Sequence, residues 1–533
     1  MAKTPLFALL RRCLSAAGRS LKTGRSAAEI VEERQAGRLS RRRFLEASAA
    51  VAGAAATAGC LSAQPAAPAA GDGAPKVLVV GAGIAGLTAA WRLRQAKVPV
   101  QVIEGSDRVG GRMYSLRGRF ADNQVCELGG ELLDTGHEVI MGLAKELGIE
   151  IDDLKDGEDA APFFFFAGER RTEAQCVEAV KPLYKAVKAD IAPFLDKDGE
   201  WKDITHEEPN GAEKLDRLSL AEWFDKAGAA GWIRKLLEIA FVTEYGLEAD
   251  KQSCLNLLTM IDIEAEGLNL FGESDERFHV RGGNDRIVRA LGERLSAEIR
   301  TGTKLLAVAK RADGMLACTV SSGGATKELA AAHVVLALPF TMLREVKLDE
   351  SLALPAVKKK AIAELGMGTN AKLMVGFTER VWRTKHKASG ETVVDLPYQL
   401  SWETSRKQKG AAGIITNYTG GDHGVAIGKG TPAEQAAAFV AGFDKVFPGV
   451  AAAHAKTEAL FHWPSQPWVK GSYSCYLPGQ WTGLRGAEGT SVGNLHFAGE
   501  HCSLDWQGFM EGGCETGQAA AQAILKSMGL LKE

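Results

Sequence analysis

The chain has no Cys-x-x-Cys pair, although it carries nine cysteines, at 13, 60, 126, 176, 254, 318, 475, 502 and 514. Their irregular spacing offers neither a zinc or other metal site nor a disulfide framework, and most read as small core hydrophobes. No apolar run reaches the length of a permanent bilayer-spanning helix. Charge of one sign is not in excess either: 64 basic residues face 66 acidic ones, a formal net charge of -2. Nucleic acid is therefore excluded as a main partner. Internal repeats are absent. What remains is the composition of a soluble globular protein, and 533 residues are too many for one simple core.

The near-neutral total hides an asymmetry. Residues 1–75 hold about six more basic than acidic side chains, which sets them apart from the rest. Within them Ser40-Arg41-Arg42-Arg43-Phe44-Leu45 precedes a weakly apolar stretch, Ala47 to Ala58, and an Ala/Pro/Gly linker, Leu61 to Pro75. This is the layout of a twin-arginine export signal. It predicts the twin-arginine export machinery as a partner and a periplasmic or otherwise extracytoplasmic location. Two processing outcomes stay open: cleavage near Ala63 to release a soluble protein, or lipid anchoring through Cys60, where Thr57 stands at a position usually held by Leu. Residues 1–39 make a long preceding region to which the sequence gives no role.

The folded part opens with Lys76-Val-Leu-Val-Val-Gly81-Ala-Gly83-Ile84-Ala85-Gly86, an apolar strand running through GxGxxG into a helix. The first glycine makes the tight turn, the second lets backbone approach a pyrophosphate, and the third lets helix pack on strand. Phosphates then sit at a helix N-terminus, where free N–H groups and the helix dipole favour anions. The next strand, Val98 to Ile103, ends on Glu104, about 20 residues downstream, where a carboxylate can accept hydrogen bonds from a ribose.

Beyond this unit the pattern turns helical and polar. Ile140 to Leu147, Thr172 to Phe194 and Ala229 to Tyr245 read as helices, and Phe163 to Phe166 as a buried strand. A glycine turn at Gly282-Gly283 feeds a helix over 286–295. Short strands follow at 304–309, 315–320 and 333–338, with hairpin turns at Asp313-Gly314 and Ser322-Gly323-Gly324. The chain closes with a strand, Asn494 to Ala498, and an Ala-rich helix over about 508–528. Two nucleotide-type segments thus flank helical insertions.

Gly81-x-Gly83-x-x-Gly86, Glu104-Gly105, Gly110-Gly111-Arg112, Glu127-Leu128-Gly129-Gly130, Phe497-Ala498-Gly499-Glu500 and Gln507-Gly508-Phe509-Met510-Glu511-Gly512 occur in one order. Together they resemble the flavin-containing amine oxidase family, which includes monoamine, polyamine and L-amino-acid oxidases. The resemblance covers residues 76 to about 528. It implies an α/β protein: a discontinuous Rossmann-like FAD-binding domain of the glutathione-reductase type (76–135, 276–345 and 461–533) plus an α+β substrate-binding domain (136–275 and 346–460).

By the same resemblance Gly81 to Gly86, Glu104, Gly105, Gly111, Arg112, Gly129, Gly130 and Glu131 surround the cofactor. Leu305 falls near the adenine, Glu500 near the ribitol, and the Phe509-Met510 backbone at the pyrimidine edge of the flavin. Lys372 matches the lysine that holds a water at flavin N5. Trp463, Tyr473 and Phe509 match the aromatic walls around the substrate nitrogen. Ser472 stands where some mammalian members bond FAD through cysteine, which implies non-covalent FAD. The implied reaction is oxidative deamination of a small amine or L-amino acid, with O₂ giving H₂O₂.

Gly129-Gly130-Glu131-Leu132-Leu133 lacks the arginine that venom-type amino-acid oxidases place after the paired small residues. Glu131 therefore reads either as a contact for a second ammonium group or as a structural hydrogen-bond acceptor. Two other functions stay open: a desaturase or protoporphyrinogen-oxidase relative, and a flavin-binding module without catalysis. Oligomeric state has no signature in the sequence.

Overall fold

The computed structural model describes residues 13, 16–32, 76–155, 163–195, 202–260 and 275–531. The twin-arginine segment, Cys60 and the linker lie outside the described residues.

Val77–Val80 is buried throughout and sits centrally in a five-stranded parallel sheet. The order is Leu495–Phe497, His333–Leu336, Val77–Val80, Val100–Ile103 and Ile299–Arg300, so three distant stretches of chain build one sheet. A strand covered on both faces reads as an unbroken apolar run, and alternation then sorts its residues. Val77 and Val79 face a cluster shared with the helices Ile84–Gln95 and Met510–Ser527. Leu78 and Val80 face the opposite cluster, with Val308, Cys318 and Val320 of an antiparallel sheet over Thr303–Lys310, Leu316–Ser322 and Ala325–Ala331. The two helices on the first face cross closely because Gly517 is bare: a Cβ there would lie 2.2 Å from the Ala85 carbonyl oxygen.

The second region is built on a seven-stranded sheet, in the order His454–His462, Ala371–Phe377, Gly413–Thr419, Tyr398–Glu403, Thr392–Leu396, Phe163–Phe166, Glu169–Arg171. Helix Pro432–Val446 covers one face. Helices Glu173–Ile191 and Gly231–Tyr245 cover the other. Thr172 and Gln175 form a reciprocal capping box at the start of the first of these helices. The four-phenylalanine strand alternates rather than being buried throughout: Phe164 and Phe166 are buried, while Phe163 and Phe165 are only partly so.

Two segments pack away from where the sequence groups them. Residues 346–365, placed with the substrate-binding part, send Val346, Leu352, Ala361 and Leu365 into the cluster of Leu78 and Val80. Their strand Lys347–Leu348 pairs with Thr303–Lys310. Near the start of the chain, Ala16, Ala17, Ala27, Ile30 and Val31 join the cluster of Cys176, Val177 and Val180. The Ala27 N–H also donates to Glu178 Oε1 at 3.3 Å.

Candidate functional site

A cavity of about 500 Å³ opens beyond the C-terminal ends of the parallel strands, lined by Gly81, Glu104, Ala337 and Gly499. It continues to the seven-stranded sheet at Lys372, Trp402 and Tyr418. Strand ends of an open parallel sheet are where such folds place ligands.

At its first end the cavity is walled by backbone. Gly81 sits at φ +103°, and a Cβ there would lie 2.5 Å from the Ala337 oxygen. A Cβ on Gly86 would lie 1.9 Å from the Gly81 oxygen. Gly83 differs: only the Gly111 Cα comes within 4.0 Å of where its Cβ would be, so this flank is open. Gly83 also caps helix Ile84–Gln95 without a side-chain hydrogen bond and with no acidic residue in the first turn. The bare helix start, with Gly83, Ile84 and Ala85 on the cavity, suits an anion.

Glu104 accepts from the Ala82 N–H at 2.8 Å and from the Ser106 N–H and hydroxyl at 2.9 and 2.8 Å, which fixes its carboxylate at the strand end. Trp468 packs on Gly105, where a Cβ would lie 2.4 Å from its ring. Leu305 lines the same end, beside a register shift that bulges Leu306 out of the ladder.

Arg112 and Glu500 join the two ends through a 2.7 Å ion pair. Glu500 also accepts from the Ser474 hydroxyl at 2.7 Å and from the Gly508 N–H at 2.8 Å. Burial raises its pKa, but the Arg112 charge, His501 and the bonds from Arg112 and Ser474 outweigh burial and bring it down to about 2. Both its oxygens are thus spent on protein donors. Phe509 caps helix Met510–Ser527 with no side-chain bond, so a second bare helix start meets the cavity.

The far end is made by side chains. Alternation along Ala371–Phe377 sends Leu373, Val375 and Phe377 into the core, leaving Lys372 on the cavity face opposite Tyr418. Lys372 is buried, and its Nζ donates to Glu131 Oε2 at 2.7 Å, Gly129 O at 2.9 Å and Glu127 O at 3.2 Å. Those three acceptors match the three protons of the ammonium. Glu131 Oε1 accepts in turn from Thr404 at 2.6 Å and Trp402 Nε1 at 2.8 Å. Burial raises the Glu131 carboxyl, but Lys372, Thr404 and Trp402 outweigh it and hold the group below its ordinary range. Of the two readings of Glu131, the geometry is that of the structural acceptor.

Of the two glycines before it, Gly129 is closed off by backbone, whereas at Gly130 only the Met510 side chain stands in the way. A Cβ on Gly129 would lie 1.8 Å from the Arg112 oxygen, and one on Gly130 would lie 2.7 Å from Met510 Sδ. Trp463 is anchored by a 2.8 Å bond from Nε1 to the Leu128 oxygen. The Tyr473 hydroxyl meets that of Tyr418 at 2.8 Å and donates to the Glu244 oxygen at 2.9 Å. Phe509 packs edge-on against His137 and Trp506, with centroids 5.2 and 5.8 Å away. The structure therefore brings Lys372, Trp463, Tyr473, Phe509 and the cofactor-side residues named from the sequence to one cavity, except Gly86, which packs behind its wall against Gly81. Cys475, three residues from Ser472, is buried in the core instead.

Sequence reasoning missed Trp402, Thr404, Tyr418, Asp134, His137 and Glu276. Trp402 stood in a strand buried throughout and Tyr418 in one buried at every position but its own, so neither run alternates to show which face is inward. Asp134 and Glu276 had only their nearness to glycine pairs as a signal.

The model for flavin-containing amine oxidoreductases matches residues 84–525. An L-amino acid dehydrogenase of Synechocystis sp. is 25% identical over 84% of this chain and 94% of its own length. The flavin-containing amine oxidase B of Homo sapiens is 24% identical over 86% of this chain and 87% of its own. Cyclohexylamine oxidase from Brevibacterium oxydans IH-35A shares the fold, with a TM-score of 0.73 at 22% identity over 86% of this chain and all of that one. With the match spanning both ends of the cavity, the chain belongs to the flavin-containing amine oxidoreductase family and is a flavin-dependent enzyme of amine oxidation.

Proposed function

We propose that the protein binds FAD non-covalently and oxidatively deaminates an amine or L-amino acid, releasing ammonia and an aldehyde or keto acid while O₂ becomes H₂O₂. The observation that carries this reading is a glycine-walled anion cradle and an aromatic slot within one continuous cavity. The residues fit the cofactor: bare helix starts at Gly83 and Phe509 suit a pyrophosphate and a polar ring edge, and Gly83 leaves room for close approach. Ser472 holds Asn370 through a 2.7 Å bond and offers no thiol for attachment.

When bound, FAD supplies the two-electron acceptor. The protein's part is to deliver a neutral amine, since a protonated nitrogen has no lone pair to help expel hydride. Tyr473, Phe509 and Trp463 form an apolar slot that disfavours the ammonium by desolvation and fixes the reacting C–H bond in one direction. Lys372 holds Gly129 and Glu131 in place beneath that slot. An amine fits better than an amino acid. Of the cavity's two arginines, Arg112 is paired with Glu500 and Arg108 is bonded to the Gly111 oxygen at 2.7 Å on the cofactor side.

Purified protein should be yellow and should lose its colour to the supernatant on acid precipitation. Mixed anaerobically with amines, the flavin should bleach and then recover with O₂ as peroxide is released. A spectrum that only shifts would mean a binding module. Export by the twin-arginine route belongs to the same proposal; Arg41→Lys/Arg42→Lys should hold the protein in the cytoplasm of a fractionated cell.

A further inference from the structure

Three carboxylates that line the cavity are satisfied by protein groups. Glu104 has three donors, Glu131 has Lys372, Thr404 and Trp402, and Glu500 has Arg112, Ser474 and Gly508. Glu276 is only 7% exposed and lines the cavity, yet its Oε1 has no hydrogen-bond partner among the described residues. A buried carboxylate oxygen left unpaired costs several kcal/mol, on the order seen for uncompensated buried charge.

Its backbone is fixed. The Glu276 N–H donates to Asp134 Oδ1 at 2.6 Å, and the backbone there is held in the left-handed region at φ 44°. Asp134 stands 3.4 Å from His137 Nε2, and the His137 ring packs on Phe509. Glu276 is thereby tied to the slot wall. It also acts through space on Tyr418, the partner of Tyr473.

Resting on the amine reading above, we propose that Glu276, with Asp134 behind it, is a subsite for a second cationic group of the substrate, which makes diamines and polyamines the substrate class. A dication places its reacting nitrogen in the aromatic slot and its other ammonium on the unpaired carboxylate. Burial, then Asp134, Glu244 and Glu391, push the Glu276 carboxyl well above the usual range, and Lys155 opposes them weakly. In the empty cavity it therefore keeps its proton to higher pH. When the ammonium arrives, the O–H bond breaks, the proton leaves to solvent and the carboxylate pairs with the cation. Binding of a dication thus releases a proton and tightens as pH rises toward the raised Glu276 range, until the ligand's own ammonium titrates.

The flavin-loaded protein should be titrated anaerobically with butane-1,4-diamine and butan-1-amine, following tryptophan fluorescence for binding and flavin bleaching for reaction. The diamine should bind at least tenfold tighter than the monoamine and release a proton to a pH dye. Glu276→Gln should bring the affinity ratio toward one, and Glu276→Asp should keep part of it. Equal affinities in the wild type, or a ratio unchanged in Glu276→Gln, overturn the subsite. A diamine that binds tightly and releases a proton without bleaching the flavin would uphold the subsite and overturn the amine-oxidising reading of the cavity.

Discussion

The two ends of the cavity are built on opposite principles. The nucleotide end is defined by side chains that are missing: at Gly81, Gly86 and Gly129 a single carbon would collide with backbone at 2.5 Å or less. The substrate end is defined by side chains that come together from distant segments: Glu131, Glu276, Lys372, Trp402, Tyr418, Tyr473 and Phe509. Backbone walls tolerate almost no substitution and leave a spaced motif. Side-chain walls depend on the sheet register and leave little trace in any one segment.

The sharpest break in that comparison comes from two neighbouring glycines. Gly86→Ala drives a Cβ to 1.9 Å from the Gly81 oxygen, so helix and strand must part. Overpacking of this kind costs about 1–3 kcal/mol, and both melting temperature and flavin content should fall. Gly83→Ala meets only the Gly111 Cα at 4.0 Å. It should melt like the wild type and still lose flavin, because its methyl occupies the open flank of the cradle. Absorbance near the flavin band against protein absorbance measures both variants. If Gly83→Ala retained full flavin, the cradle would not be where the pyrophosphate lies.

At the other end the largest effect belongs to Lys372. Lys372→Met strands the buried Glu131 carboxylate, and breaking such a pair costs about 3–5 kcal/mol. Turnover should drop tenfold or more. Lys372→Met/Glu131→Gln removes both charges and should regain most of the melting temperature. If turnover returns with stability, Lys372 acts by holding Gly129 and Glu131. If turnover stays low, Lys372 handles protons directly.

Acid should find the joint between the two ends. The folded Glu500 carboxyl lies at about 2 against an ordinary 4.5, so the stability it contributes is fully present above the unfolded value. That contribution is lost as pH falls from 4.5 through 2, and amounts to about 3 kcal/mol at 1.36 kcal/mol per unit. Glu500→Gln should flatten this part of the acid melting curve. A curve as steep as the wild type's would assign acid sensitivity to other carboxylates, Glu131 first among them.

Legibility follows the same division. GxGxxG, Glu104 and the closing Gly499-Glu500 motif could be read because each reports a local backbone demand. Lys372 was readable only through resemblance, since one lysine in a β-like run has no local signature. The pairing of Lys372 with Glu131 was not readable at all, because 241 positions separate them and only the register of Ala371–Phe377 on the cavity joins them. The grouping of residues 346–365 was hard to read for a related reason. Residues 346–365 form helix and short strands that could pack on either region, and the apolar face toward Leu78 and Val80 decides.

The smallest effect tests whether the slot works by shape or by hydroxyl. Tyr473→Phe keeps the ring and loses the bonds to Tyr418 and to the Glu244 oxygen, worth about 1 kcal/mol of stability. The apolar wall survives, so kcat/KM should fall by no more than about fivefold, the equivalent of that same 1 kcal/mol. Tyr473→Ala removes the wall, and water entering the slot would favour the charged amine, so its loss should be at least ten times larger. Should the two variants lose the same amount, desolvation by the ring is not what prepares the amine, and the hydroxyl pair of Tyr473 and Tyr418 would have to carry the proton instead.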